Sequence, residues 1–179
     1  MKIRKIVSAE TKTGVVMQAS DLLDTRTASL CTNIWGFDKI PDLPLAPAQV
    51  LGEYIQRGIF GPKDGVRVNV ISLPPEKDIK ASDLGTERAK LDMGTGANMS
   101  PSEQGGGAMH RTDSIDLGVV LKGETDIDYP GEDGQVHTIT IREGDFIAQN
   151  GAYHEWRNRS NDYCVILIFI VAAERKAGQ

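Results

Sequence analysis

The carboxy-terminal part of the chain consists of short strand-like segments separated by turn residues, and this punctuation restricts the fold more than any other feature. Glycine and proline, 19 and 8 of the 179 residues, occur throughout the sequence. Short strands separated by such turns are typical of antiparallel sandwiches and barrels. The predicted strands of this part are 114–122, 125–129, 136–142, 146–149, 155–158 and 163–171.

The segment 164–173 is the longest apolar run of the chain. A membrane-spanning helix needs about 20 apolar residues, so this run is too short to cross a bilayer. A strand that is apolar on both faces is covered on both sides. We therefore expect this segment to be a central strand of the sheet.

The amino-terminal part mixes strands with two predicted helices. Strands are expected at 3–7, 14–17, 30–35 and 66–73, where the last segment ends at two prolines. The segment 48–57 is the strongest helix candidate, with proline near its start and glycine just past its end. A weaker helix is predicted at 82–91, and the glycine-rich segment 93–109 is predicted to be a loop.

Charge and cysteine content exclude several classes of function. The net charge is −5, and the pI is about 5.2, which argues against nucleic-acid binding. Cys31 and Cys164 lie far apart and form no CxxC motif, so neither a zinc knuckle nor a disulfide scaffold is indicated. We expect a cytoplasmic protein, because no apolar signal segment follows the basic amino terminus and the cysteine usage suits a reducing compartment.

Only three histidines are available for chemistry, and one of them lies in a distinctive pattern. His110, Thr112 and Asp116 are separated by even numbers of residues, which places their side chains on one face of an extended strand. The opposite face carries apolar residues from Ile115 to Leu121. Either the apolar face forms the core and the polar face meets water, or the barrel has a polar interior and its apolar exterior is covered.

Two segments of this region resemble the paired motifs of the cupin superfamily. In the first motif, a histidine is followed by an acidic residue and then, further on, by a glycine, and His110, Asp116 and Gly123 match these positions. In the second segment, Gly151, His154 and Asn158 match the glycine, histidine and asparagine of the second motif. The resemblance covers about 105–171 and is closest to a subgroup of small single-domain bacterial and fungal cupins, some associated with secondary-metabolite pathways.

The chain departs from the cupin pattern at the metal ligands. A typical cupin holds its metal with three histidines and one glutamate, whereas Thr112 replaces the second histidine and Asp116 the glutamate. His110, Asp116 and His154 can form a 2-His-1-carboxylate triad for Fe, Mn, Zn or Ni. Alternatively, the same three residues form a metal-free acid/base site, since imidazoles titrate near neutral pH. The sequence gives these two alternatives about equal weight.

Three further residues are candidate substrate contacts. Thr112 offers a hydroxyl, and Tyr153 can line the pocket with its own, although packing is the simpler role for the tyrosine. Arg67 lies on a predicted strand and can hold an anionic group if it points inward. His137 follows an acidic hairpin and is expected at the surface.

The resemblance and the strand pattern together predict a jelly-roll β-barrel with an amino-terminal arm and one or two short helices. The chain is expected to be a single domain, 1–179, with the arm at 1–60 and the barrel at 61–173. The apolar outer face of the 115–121 strand and the resemblance to cupins favour a homodimer. No membrane or nucleic-acid partner is expected.

The predicted function is the transformation of a small molecule inside the barrel. His110, Asp116 and His154 are the candidate catalytic groups for an oxidation, a dehydration or an isomerisation. The resemblance favours an oxygenated substrate, aromatic or polyketide-like. The alternative is a cupin that binds a small molecule without transforming it.

Overall fold

The computed structural model describes residues 1–26, 30–44, 58–79, 99–101 and 109–176. In this part of the chain, the secondary structure consists of β-strands and one short 3-10 turn, Glu76–Asp78. The strands are β1 Lys2–Thr11, β2 Gly14–Asp24, β3 Cys31–Phe37, β4 Val66–Leu73, β5 Met99–Pro101, β6 His110–Thr112, β7 Ser114–Lys122, β8 Glu124–Pro130, β9 Val136–Arg142, β10 Phe146–Asn150, β11 Glu155–Arg157 and β12 Cys164–Ala172. All of their pairings are antiparallel. The predicted all-β antiparallel class is therefore confirmed.

Two sheets enclose the core. The larger has five strands in the order β10-β7-β12-β4-β3, and the smaller has three in the order β11-β8-β9. The chain crosses between the two sheets, because β7 lies in the first, β8 and β9 in the second, and β10 in the first again. This alternation is the connectivity of a jelly roll.

Strand β12 lies in the middle of the larger sheet, between β7 and β4, as its apolar composition predicts. The expected cover on both faces was wrong for the outer face, where Phe169 is 43% exposed. The inward residues Ile166, Ile168 and Ile170 are at most 3% exposed. They pack in one cluster with Val120 of β7 and Ile127 of β8, so the core lies between the two sheets.

Part of the predicted amino-terminal arm is joined to the larger sheet, because β3 pairs with β4 as an edge strand. The β1–β2 hairpin forms a sheet of its own. Lys5 of that hairpin donates a hydrogen bond to the Ile34 carbonyl, at 3.2 Å, and lies over the Trp35 ring. The division of the chain at residue 60 stays a prediction.

The predicted helices, 48–57 and 82–91, lie outside the described residues. The loop prediction for 93–109 was wrong at its centre, because Met99–Pro101 forms a strand that pairs with His110–Thr112. A three-residue strand rich in polar and proline residues has no alternation by which the sequence could reveal it. No helix in the described ranges is long and apolar enough to cross a membrane.

The two faces of β7 resolve the ambiguity left by its alternating pattern. Ser114 and Asp116 are buried, whereas Ile115 and Leu117 are 42% and 37% exposed. The polar side of the strand therefore faces the interior, and the apolar side lies outside beside Phe169 of β12. The homodimer expected to cover this outer face stays a prediction.

Candidate functional site

The structure brings His110 and His154 together at the edge of the barrel. The backbone N–H of His110 donates to the His154 carbonyl at 3.0 Å, and the reciprocal bond measures 2.8 Å. Residues paired in this way point to the same face. The two imidazole rings accordingly lie with their centroids 4.6 Å apart, tilted by 50°.

The loop before His154 is fixed by its backbone. Gly151 has a φ of +64°, a conformation that glycine adopts without strain. The Arg175 guanidinium donates to the Gly151 carbonyl at 2.8 Å and to the Asp113 carboxylate at 2.8 Å. The carboxy-terminal segment thus holds this turn against the start of β7.

The hydrogen bonds of His154 define its tautomer. Its Nδ1 lies 2.9 Å from the Ala152 carbonyl oxygen, which can only accept, so Nδ1 carries the proton. Nε2 therefore presents a lone pair. Burial, supported by the charge of the facing His110 and opposed by the Ala152 hydrogen bond, lowers the pKa of His154 to about 4. At neutral pH the His154 side chain is a neutral hydrogen-bond acceptor.

Asp116 is a carboxyl group inside the barrel, 6% exposed. It lies opposite Ile170 of β12, in the core, and opposite Gln149 of β10. Burial raises the pKa of Asp116 to about 6, while a hydrogen bond from Ser114 opposes the rise. The Asp116 Oδ1 atom is buried and has no hydrogen-bond partner among the described residues.

Two buried hydroxyl groups precede Asp116 along the chain. The Thr112 and Ser114 hydroxyl oxygens are 2.7 Å apart, and both side chains are buried. Either hydroxyl can be the donor in this bond. Thr112, Ser114 and Asp116 thus form a row of buried polar side chains that begins in β6 and continues along β7.

Sequence reasoning missed Ser114 and Gln149. Gln149 is half-buried, and its Oε1 atom is buried without a partner among the described residues. The signal for Ser114 was present, since it shares the even spacing of Thr112 and Asp116. Gln149 could be found only through the register of β10 against β7, which the sequence does not specify.

Two predicted substrate contacts are engaged elsewhere. The guanidinium of Arg67, 2% exposed, donates to the Phe37 carbonyl at 2.9 Å and pairs with Asp38. The Arg111 guanidinium lies over the Tyr153 ring, with its Cζ atom 4.8 Å from the ring centroid. Since Arg111 and Tyr153 flank the paired histidines, alternation places both on the face opposite the imidazoles.

The remaining reactive side chains belong to the surface or the core. His137 is exposed as expected, 3.0 Å from the Asp133 carboxylate. Cys164 is fully buried, and burial raises the pKa of its thiol to about 12. A thiol in that state is inert at neutral pH.

A metal centre of the kind implied by the cupin resemblance needs at least three suitable ligands. Within the described residues, no three His, Cys, Asp or Glu side chains lie close enough together to hold a metal ion. His110 and His154 supply two imidazoles, and Thr112 stands where a third histidine is expected. The donor set in the described part of the chain therefore does not fit a cupin metal centre.

Comparison with known proteins gives partial likenesses. No protein-family profile matches the chain. Two proteins of Diaporthe leptostromiformis, named phomopsin biosynthesis cluster proteins C′ and D, are each 40% identical to it over 62 residues, which is 35% of this chain and 31% of theirs. The matched segment thus spans about a third of the length of these relatives.

Similar solved structures include an RmlC-like cupin of Methanocaldococcus jannaschii with a double-stranded β-helix fold, 14% identical, with a TM-score of 0.39 over 82% of this chain and 84% of that one. An oxalate oxidase in complex with glycolate is 14% identical, with a TM-score of 0.41 over 86% of this chain and 56% of that one. Tomato vicilin is 16% identical, with a TM-score of 0.37 over 64% of this chain and 24% of that one. Because every TM-score is below 0.5, no activity or ligand carries over from these proteins.

Proposed function

We propose that this chain is a cupin-type enzyme that transforms a small organic molecule by proton transfer inside the barrel, without a metal. The observation that carries the proposal is the buried Asp116 carboxyl group with one oxygen unpaired. A buried carboxyl group without a full set of partners costs stability. Such a cost is typical of a group retained for chemistry, and the bridged pair His110 and His154 supplies two imidazoles.

Asp116 is assigned the proton transfer. A general acid or base works best when its pKa lies near the working pH, and burial moves the pKa of Asp116 to about 6. The Asp116 Oδ1 atom accepts no hydrogen bond from the described residues, so it is assigned as the atom that exchanges a proton with the substrate.

The histidines are assigned to binding and orientation. His154 Nε2, neutral at physiological pH, accepts a hydrogen bond from a substrate hydroxyl. Its low pKa makes it a weak base, so it positions the substrate rather than removing a proton from carbon. His110 lies half-buried beside it, with the two ring centroids 4.6 Å apart.

The reaction class that suits these groups is an isomerisation or a dehydration. In the isomerisation of a hydroxyketone, the Asp116 carboxylate takes the proton from the hydroxyl-bearing carbon, and the C–H electron pair forms the enediolate. A proton then moves from the hydroxyl oxygen to the former carbonyl oxygen, and the protonated carboxyl returns its proton to the former carbonyl carbon. The step is balanced without an external oxidant or reductant. In the dehydration of a β-hydroxyketone, the Asp116 carboxylate takes the proton from the carbon beside the carbonyl group and then gives it to the β-hydroxyl group. That group leaves as water while the electron pair of the enolate forms the C=C bond.

The substrate is proposed to be oxygenated, either aromatic or polyketide-like. Support comes from the two relatives named for a biosynthesis cluster, over the 62 residues that match. A place in secondary metabolism is part of the same proposal.

The test is proton exchange at carbon. The full chain is incubated in D2O with hydroxyketones, 1,3-diketones and hydroxylated aryl ketones, and loss of the C–H signals is followed by NMR. We expect exchange above the buffer rate for at least one compound, abolished in Asp116→Asn and kept in Glu132→Gln, which removes an exposed carboxyl group.

Exchange equal in Asp116→Asn and the wild type overturns the assignment of Asp116. Binding of a compound without exchange or conversion overturns the enzyme proposal in favour of a non-catalytic binding protein. Absence of both binding and exchange across the panel overturns the proposed substrate class.

A further inference from the structure

We propose that the barrel selects its ligand through hydrogen-bond donors, and that it takes a neutral molecule with two adjacent hydroxyl groups, held between Asp116 Oδ1 and Gln149 Oε1. This inference deepens the proposed function and depends on Asp116 being the group that meets the substrate. It names what the site recognises, whereas the proposed function names what the site does.

The two acceptors are neighbours by register. Asp116 of β7 pairs directly with Gln149 of β10 in the larger sheet. Directly opposed residues in an antiparallel pair point to the same face, with Cβ atoms about 5 Å apart. Two acceptors at this spacing suit a pair of donors on adjacent atoms of one ligand.

Both acceptors are buried and lack a partner. Asp116 Oδ1 and Gln149 Oε1 are inaccessible to water and accept no hydrogen bond from the described residues. Buried oxygens of this kind are almost always paired in proteins. Two unpaired acceptors side by side indicate donors that arrive with the ligand.

The surrounding groups favour a neutral donor over an anion. The neutral His154 side chain carries no positive charge that would attract an anion. Arg67, which lies across Ile170 from Asp116, is engaged by Asp38 and two backbone carbonyls. Arg111 stacks on Tyr153 on the opposite face of its strand. A carboxylate ligand would therefore bring a second negative charge beside the Asp116 carboxyl group.

The test compares three probes of similar shape: cis-1,2-cyclohexanediol, its dimethyl ether and cyclohexanecarboxylate. Each is titrated into the full 15N-labelled chain, and the dissociation constant is taken from amide chemical shifts. We expect the diol to bind at least about tenfold more tightly than the ether, which keeps the shape but has no donors. Cyclohexanecarboxylate should be the weakest of the three.

Gln149→Met removes the amide while keeping the length of the side chain, and we expect it to weaken diol binding about tenfold. Gln149→Glu retains an acceptor and should keep diol binding within about threefold of the wild type. Gln135→Met, at an exposed position of the β8–β9 loop, is the matched control and should leave binding unchanged.

Equal affinities for diol and ether, preference for the carboxylate, no binding of any probe, or unchanged diol binding in Gln149→Met each overturn the inference. These results are separable from the exchange test. If exchange depends on Asp116 but not on Gln149, the proposed function is retained and the inference is overturned. If diol binding depends on Gln149 but no exchange occurs, the inference is retained and the proposed function is overturned.

Discussion

Asp116 and His154 are expected to have opposite effects on how stability depends on pH. The folded-state pKa of Asp116 is raised from 3.8 to about 6, so between these values the folded state binds more protons than the unfolded state. Its contribution is complete below pH 3.8 and is lost as the pH rises to about 6. The difference between the folded-state and unfolded-state pKa values corresponds to roughly 3 kcal/mol of folding free energy, at ~1.4 kcal/mol for each tenfold change in proton affinity.

The contribution of His154 to folding stability depends on pH in the opposite direction. Its folded-state pKa is lowered from 6.5 to about 4, so the unfolded state binds more protons in that interval. The contribution of His154 is therefore complete above pH 6.5 and is lost as the pH falls to about 4, again by roughly 3 kcal/mol. In the wild type the two contributions nearly cancel.

Single substitutions should expose each contribution. Urea unfolding is measured from pH 4 to pH 7 for the wild type, Asp116→Asn and His154→Gln, and the free energy of unfolding of the wild type is subtracted from that of each variant. The difference for Asp116→Asn should rise by roughly 3 kcal/mol as the pH increases, and the difference for His154→Gln should fall by a similar amount.

The control is Gln135→Met, an exposed position whose replacement removes no titratable group, so its difference should be nearly independent of pH. Slopes of the same sign for the two variants, or flat differences for both, would refute the assignment of a protonatable acid and a neutral imidazole to the interior.

Two further substitutions test the neighbouring contacts. Ser114→Ala removes the donor that lowers the pKa of Asp116, so the carboxyl group should titrate above about 6 in a 13C NMR titration, and an unchanged or lower value would contradict this. Arg67→Met leaves the Phe37 and Val66 carbonyls and the Asp38 carboxylate without their shared donor. The free energy of unfolding should fall by on the order of 3 kcal/mol in urea titrations, and a loss well below 1 kcal/mol would show that the guanidinium contributes little.

The strand pattern could be predicted because its cause is local. Turn residues end each strand and alternation marks its faces, so the predicted strands agree with β7 to β12 to within a few residues. Which face of β7 points inward could not be decided, since Ser114 and Asp116 alternate as regularly as Ile115 and Leu117. The neighbours β10 and β12 determine that choice, and they lie tens of residues away in sequence.

The interior chemistry was only partly predictable for the same reason. The meeting of His110 and His154 was inferred from their motifs. Arg67 pairs with Asp38, and the sequence of the Arg67 strand does not reveal that partner. The position of Gln149 opposite Asp116 depends on strand register. Side chains whose role depends on pairing between distant strands are those that sequence reasoning left undecided.

The reciprocal backbone hydrogen bonds between His110 and His154 have a practical consequence for mutagenesis. Main-chain atoms join the two strands at this point, and these atoms are unchanged when either imidazole is replaced. Alanine at either position therefore deletes a ring while leaving the local chain path intact. Loss of turnover in such a variant would report the missing side chain and not a displaced strand.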